Sequence, residues 1–175
     1  NKDIFKLSSI ILRFQEGNKL TKPTIITCAT SDNNISSFSI AFCLGFLFSS
    51  ENKTVCLVDY TEKSNRFLNH FISSPKEQND SNKVIINNNI SYINKLKFKN
   101  LENKNFKDNF DNYQFIIKIV DKIGIAPNIL KEIKSSDFFV IIGLAFKTKI
   151  SDLKRFSESI GEIMEKCIAA IFISK

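Results

Sequence analysis

Side chains that could do chemistry gather at two places in this chain of 175 residues. The first is S-D-N-N-I-S-S-F, Ser31 to Phe38, a polar bridge between the β-branched run Thr24 to Ala29 and the apolar run Phe38 to Phe48. A loop that leads from a strand into a helix presents the helix's first backbone N–H groups, and these suit an anion such as phosphate. Asn33 and Asn34 are the non-glycine types that best tolerate the left-handed backbone of such a cradle, and Ser31, Ser36 and Ser37 supply hydroxyls. The second place is Asp59, which ends T-V-C-L-V-D. A carboxylate at the C-terminal end of a buried strand stands on the edge where parallel α/β sheets hold ligands. The other reactive types make no pattern. His70 lies in N-R-F-L-N-H-F-I beside Phe67, Leu68 and Phe71, with no serine or cysteine nucleophile pattern, and reads as a boundary histidine on a helix. Cys28, Cys43, Cys56 and Cys167 sit in apolar runs without a C-x-x-C pair, so they read as free thiols of a reducing compartment rather than as metal ligands.

The elements that must position these residues follow from hydrophobic periodicity. Ile4, Phe5, Leu7, Ile10, Ile11 and Phe14 recur at three and four and predict an amphipathic helix. Strands are expected at Thr24 to Ala29, Thr54 to Asp59, Ile90 to Ile93, Tyr113 to Val120, Phe138 to Ile142 and Ile168 to Ile173. Helices are expected at Phe38 to Phe48, Asn128 to Ser135 and Ser151 to Lys166. The Ser-, Asn- and Lys-rich stretches Ser73 to Asn89 and Lys97 to Asn112 read as surface loops. Strands alternating with helices predict a doubly wound α/β fold, its mostly parallel sheet flanked by helices on both faces. One domain spanning 1–175 is expected, with an opening helix at 3–16 and an α/β core at 23–175. The phenylalanines of Phe38 to Phe48 are assigned to the core, because a helix between sheet-facing layers is apolar for packing reasons.

The net charge is +7, yet 22 of the 25 basic residues are lysines scattered among asparagines, and only Arg13, Arg66 and Arg155 could make bidentate contacts. That favours a solvated surface over a nucleic-acid interface, and no nucleic-acid partner is expected. No apolar run approaches the length of a membrane span.

A working phosphate loop reads G-x-x-x-x-G-K-[ST]. Set against that pattern, Ser31 and Ser36 take the glycine positions, Ser37 the lysine position and Phe38 the hydroxyl position. Every defining residue is changed, so an ordinary strand-to-helix turn, capped by Asp32 or Ser36, is favoured over a divergent anion site. The order of elements nonetheless resembles the cytoplasmic kinase-like domain of bacterial polysaccharide co-polymerases, the BY-kinase family, itself similar to the MinD and ParA ATPases of the P-loop NTPase superfamily. D-I-F-K-L-S-S-I-I-L-R-F, Asp3 to Phe14, is similar to the family's opening E-A-F-R-x-L-R-T-N-L-x-F. K-T-V-C-L-V-D-Y-T-E-K, Lys53 to Lys63, resembles K-R-V-L-L-I-D-x-D-x-R, with Asp59 matching the first aspartate and Thr61 replacing the second. Y-Q-F-I-I-K-I-V-D-K, Tyr113 to Lys122, falls on Y-D-x-x-I-I-D-T-P-P. There Ile119 stands where the family has the aspartate that orients magnesium, and only a local bulge would bring Asp121 forward. S-S-D-F-F-V-I-I-G-L-A-F-K-T resembles the family's next strand.

The resemblance implies a vestigial nucleotide site at Ser31, Asn33, Asn34, Ser36, Ser37 and Asp59, with no catalytic residue and no metal ligand retained. It implies no cofactor beyond weak binding of ATP–Mg²⁺, and a non-catalytic role in exopolysaccharide biosynthesis. The alternative is a weak ATP-dependent tyrosine kinase or MinD-like ATPase with relocated residues such as Lys63 or Lys122. The implied partner is a membrane polysaccharide co-polymerase or the chain's own N-terminal membrane part, which places the domain in the cytoplasm at the inner face of the bacterial membrane. The family's contact motif E-x-x-R-x-x-R survives only as Asp3, Lys6 and Ser9, so self-association is expected to be weak.

Overall fold

Seven strands order as β3-β4-β2-β5-β1-β6-β7 in a single sheet among the described residues. The structure is a computed structural model that describes residues 2–18, 22–30, 37–61, 83–94, 110–122, 127–144, 149–151, 154, 157–158 and 161–173. The strands are β1 Thr24–Thr30, β2 Val55–Asp59, β3 Lys83–Asn87, β4 Ile90–Asn94, β5 Phe115–Lys122, β6 Phe138–Leu144 and β7 Cys167–Ile173. All neighbouring pairs are parallel except β3 with β4. Among the described residues the helices are α1 Lys2–Asn18, α2 Ser37–Ser50 and α3 Pro127–Lys134, with further helical residues at 150–151, 154 and 157–158 and a 3₁₀ helix at Gly161–Lys166.

The central strands are apolar on both faces because helices cover both. On one face Ile26 and Cys28 of β1, Val55 and Leu57 of β2, and Phe115, Ile117 and Ile119 of β5 pack with Ile4, Leu7 and Ile11 of α1 and the buried residues of α2. On the other face Ala29, Val120, Phe139 and Ile141 close around Ile133 of α3. The period of two along each strand divides these sets. Gly45 lets α2 lie close to β2, since a Cβ there would stand 3.2 Å from the Leu57 side chain. Phe48 stacks on Phe115 at 4.2 Å between centroids. The chain turns away after α2 through Asn52, whose φ of 58° is a left-handed conformation that asparagine accepts, and Lys53 N–H returns to the Phe48 carbonyl at 3.0 Å.

Two segments differ from the sequence expectation. The stretch Ser73 to Asn89, read as loop, contains β3, an antiparallel edge strand joined to β4 by a tight turn in which Asn87 Oδ1 accepts from Asn89 and Ile90 N–H at 2.8 Å each. Its K-V-I-I-N core is too short to stand out of the polar composition around it, and pairing with β4 supplies what local propensity does not. The helix expected through Lys166 instead finishes as the 3₁₀ helix Gly161–Lys166, opened by Gly161 at a φ of 48°, and β7 begins one residue earlier than expected. Elsewhere the described strands and helices match the expected ones to within two residues at each end apart from α1, which extends to Asn18.

Candidate functional site

The C-terminal ends of β1, β5 and β2 lie side by side, with Ile119 of β5 in register with both Cys28 and Asp59. The N-terminus of α2 comes down on the same edge. Ser37 is buried and its Oγ donates to the Val120 carbonyl at 2.9 Å, so the residue at the phosphate-loop lysine position is tied to β5. Ser37 and Asp59 are thereby brought to one end of the sheet, one anchored to residue 120 and the other paired with residue 119. Ser31, Asn33, Asn34 and Ser36 fall outside the described residues, as does His70.

Asp59 is fully buried. Its Oδ1 accepts the Thr61 N–H at 2.8 Å, closing a two-residue turn, and its Oδ2 accepts the Tyr92 hydroxyl at 2.7 Å. Burial, with the neighbouring Asp59 carboxylate, pushes the Tyr92 hydroxyl well above its ordinary range, which keeps it protonated as the donor. A short charge-assisted bond of this kind fixes the carboxylate against its own fold. The residue at the phosphate-loop hydroxyl position, Phe38, is 1% exposed and packs edge-on against the same Tyr92 at 6.0 Å while stacking on Phe42 at 5.4 Å. Ile119 is fully buried within the α2-side core.

The register of β5 with β1 shifts between Ala29 and Thr30: Ala29 pairs with Val120 and Thr30 with Lys122, which leaves Asp121 as the extra residue. A β-bulge therefore exists where the sequence alignment required one to move Asp121 forward. Among the described residues no group of three histidine, cysteine or acidic side chains could hold a metal ion.

Reasoning from sequence missed Tyr92, because its partner Asp59 lies 33 residues away and meets it only through the β2–β4 pairing. It also missed a polar group on the opposite face. Lys118, buried in mid-strand, donates from Nζ to Glu132 Oε2 at 2.8 Å and to Ser135 Oγ at 2.7 Å. Burial, followed by the nearby Glu132 carboxylate, pushes the Tyr60 hydroxyl well above its ordinary range. A lysine inside F-I-I-K-I-V was the available signal, since a charge in a buried strand requires a partner.

The fold is P-loop NTPase-like, shared with tyrosine kinase domains and with a ParA family ATPase. The kinase domain of the Escherichia coli tyrosine kinase ETK superposes with a TM-score of 0.71 at 8% identity, covering 98% of this chain and 76% of that one. The BceF tyrosine kinase domain gives 0.67 at 11% identity, covering 97% and 76%. A plasmid partition protein from Borrelia burgdorferi gives 0.60 at 20% identity, covering 87% and 78%. At these identities the likeness is one of fold. No protein-family model and no curated protein sequence matches the chain.

Proposed function

We propose that this domain is a non-catalytic relative of the BY-kinase domain, with a scaffolding or regulatory role in bacterial polysaccharide biosynthesis. The reading places it at the inner face of the membrane, on a membrane polysaccharide co-polymerase or on a membrane part of its own chain. One observation carries the non-catalytic half: the Phe38 ring is buried against Tyr92, and Tyr92 is hydrogen-bonded to Asp59. An aromatic ring occupies the position that needs a magnesium-binding hydroxyl, and the one surviving acid is engaged by a phenol and a backbone N–H. With Ser37 in place of lysine, the charged contacts to a triphosphate are also lost, each of which contributes about 1.5–3 kcal/mol. The likeness to the ETK and BceF kinase domains supports the polysaccharide-linked family, on the strength of fold alone.

The bulge at Asp121 favours a second reading, a weak ATPase or tyrosine kinase in which Asp121 takes over the metal-facing role. Titration calorimetry with ATP and Mg²⁺ separates the two. The non-catalytic reading expects a dissociation constant no tighter than about 1 mM, equivalent to roughly 4 kcal/mol of binding. A magnesium-dependent constant in the micromolar range, abolished by Asp121→Asn, would establish the second reading instead.

A further inference from the structure

Thr24, the first residue of β1, is fully buried, and its Oγ1 has no hydrogen-bond partner among the described residues. A buried hydroxyl left unpaired is destabilising, because water pairs with it once it is uncovered. By the period of two along β1, Thr24 shares a face with Ile26 and Cys28, the face that packs under α1 and α2. Two contacts locate the end of α1 there. Phe14 meets Phe138, the first residue of β6, edge-on with ring centroids 4.7 Å apart, and Gln15 Nε2 donates at 3.0 Å to the carbonyl of Gln114, the residue before β5. β1 lies between β5 and β6, so two consecutive residues of α1 straddle its start and the last turns of the helix lie over Thr24. The Gln114 carbonyl also accepts the Thr24 N–H at 2.9 Å, which brings the helix side chain and the strand start to one oxygen.

We infer that α1 is a releasable cover, and that the Thr24 hydroxyl beneath its last turns loosens its hold on the sheet. With α1 docked, the hydroxyl is buried and unpaired. When the last turns lift, water reaches Oγ1 and satisfies it, so opening recovers free energy that docking withholds. Valine would fill the same volume without that demand, and threonine therefore shifts the balance toward release. Ile4, Leu7 and Ile11 oppose the opening, since they are buried in the core beneath the helix. The helix thus stays docked for most of the time and opens as a unit smaller than the domain, uncovering the α1 side of β1 while the sheet remains paired. The inference rests on packing at the N-terminal end of β1 and stands apart from the reading of the nucleotide site at the other end of that strand.

Hydrogen exchange of the folded domain tests it, following the amides of α1 and, as a report on global unfolding, those of β5. In the unaltered chain α1 should be less protected than β5, because it opens without the sheet. Thr24→Val should slow exchange in α1 by about fivefold or more, the size expected when an unpaired buried hydroxyl is replaced by an apolar group of the same shape. β5 should slow as well, because the hydroxyl is also hydrated in the unfolded chain. Thr24→Ser keeps the hydroxyl and should not slow α1. Equal protection of α1 and β5 in the unaltered chain would mean that α1 does not open on its own. Slowing in β5 but not in α1 would mean that α1 does not cover Thr24, and slowing of α1 by Thr24→Ser would mean that the hydroxyl is not the cause. Each of these results overturns the inference.

Discussion

Replacing Phe38 with threonine restores the residue type a phosphate loop requires, and the structure forecasts that the fold resists it. The ring is 1% exposed and contacts both Phe42 and Tyr92. Truncating such a ring costs about 3–5 kcal/mol through lost transfer energy and the cavity left behind. Two aromatic contacts of about 0.5–1.5 kcal/mol each place the expectation in the upper half of that range. Against a total stability of about 5–15 kcal/mol, Phe38→Thr should remain folded only with a much reduced margin. Equilibrium urea denaturation followed by circular dichroism measures the loss, with an unchanged m-value confirming that stability and not compactness has moved. Phe38→Leu, which keeps most of the apolar volume, should lose roughly half as much. A loss below about 1 kcal/mol for Phe38→Thr would place it among ordinary surface substitutions and would refute the claim that this ring fills the site.

Three further outcomes are expected. Stability should fall as pH rises above about 9: burial pushes the Cys28 thiol from 9.0 up to about 12 and holds the Tyr60 and Tyr92 hydroxyls above their ordinary 10.0. The unfolded chain then releases protons that the folded one keeps, at up to about 1.4 kcal/mol per pH unit per group, so denaturation midpoints flat to pH 11 would contradict it. Iodoacetamide should modify Cys43 first, Cys167 more slowly, and Cys28 and Cys56 only on unfolding, which peptide mass spectrometry resolves. Lys118→Met should destabilise by about 3 kcal/mol by leaving Glu132 without its cation, and Glu132→Gln in the same chain should recover part of that loss in denaturant titrations.

Most of the fold is legible because the central strands are buried on both faces and read as short, largely apolar runs rich in β-branched residues, such as T-I-I-T-C-A and T-V-C-L-V-D. The edge is less legible. β3 lies in a segment whose composition is that of a loop, and only its antiparallel partner makes a strand of it. The candidate site divides in the same way. Sequence identifies Ser37 and Asp59 by position, because strand ends and helix starts are local features. The acceptor of Ser37 and the donor to Asp59 are set by sheet order, which places β5 between β1 and β2 and β4 beside β2. No window of sequence holds Val120 with Ser37, 83 residues apart.

On the non-catalytic reading proposed above, changed phosphate-loop residues need not weaken this fold, and the polar contacts at the ends of β2 and β5 indicate why. A buried carboxylate such as Asp59 is costly unless its oxygens are occupied. In a metal-dependent site a cation would meet that demand and would be exchanged with each ligand cycle. Here Tyr92 and the Thr61 N–H meet it from within the chain, and Ser37 spends its hydroxyl on a strand-end carbonyl. On that reading these contacts stabilise the ligand-free fold, and a nucleotide engaging Ser37 or Asp59 would first have to break bonds the protein already makes. The weak affinity proposed above would then follow from competition with internal partners as well as from Ser37 and Ile119 at the positions set against the lysine and the metal-orienting aspartate. Restoring the motif residues while retaining Tyr92 should leave binding poor, and removing the Tyr92 hydroxyl in that same motif-restored chain should improve affinity for ATP–Mg²⁺ by about tenfold, the equivalent of one hydrogen bond to a charged group. Calorimetry on the two folded chains decides the point, and equal affinities would mean that Asp59's internal partners do not oppose the ligand.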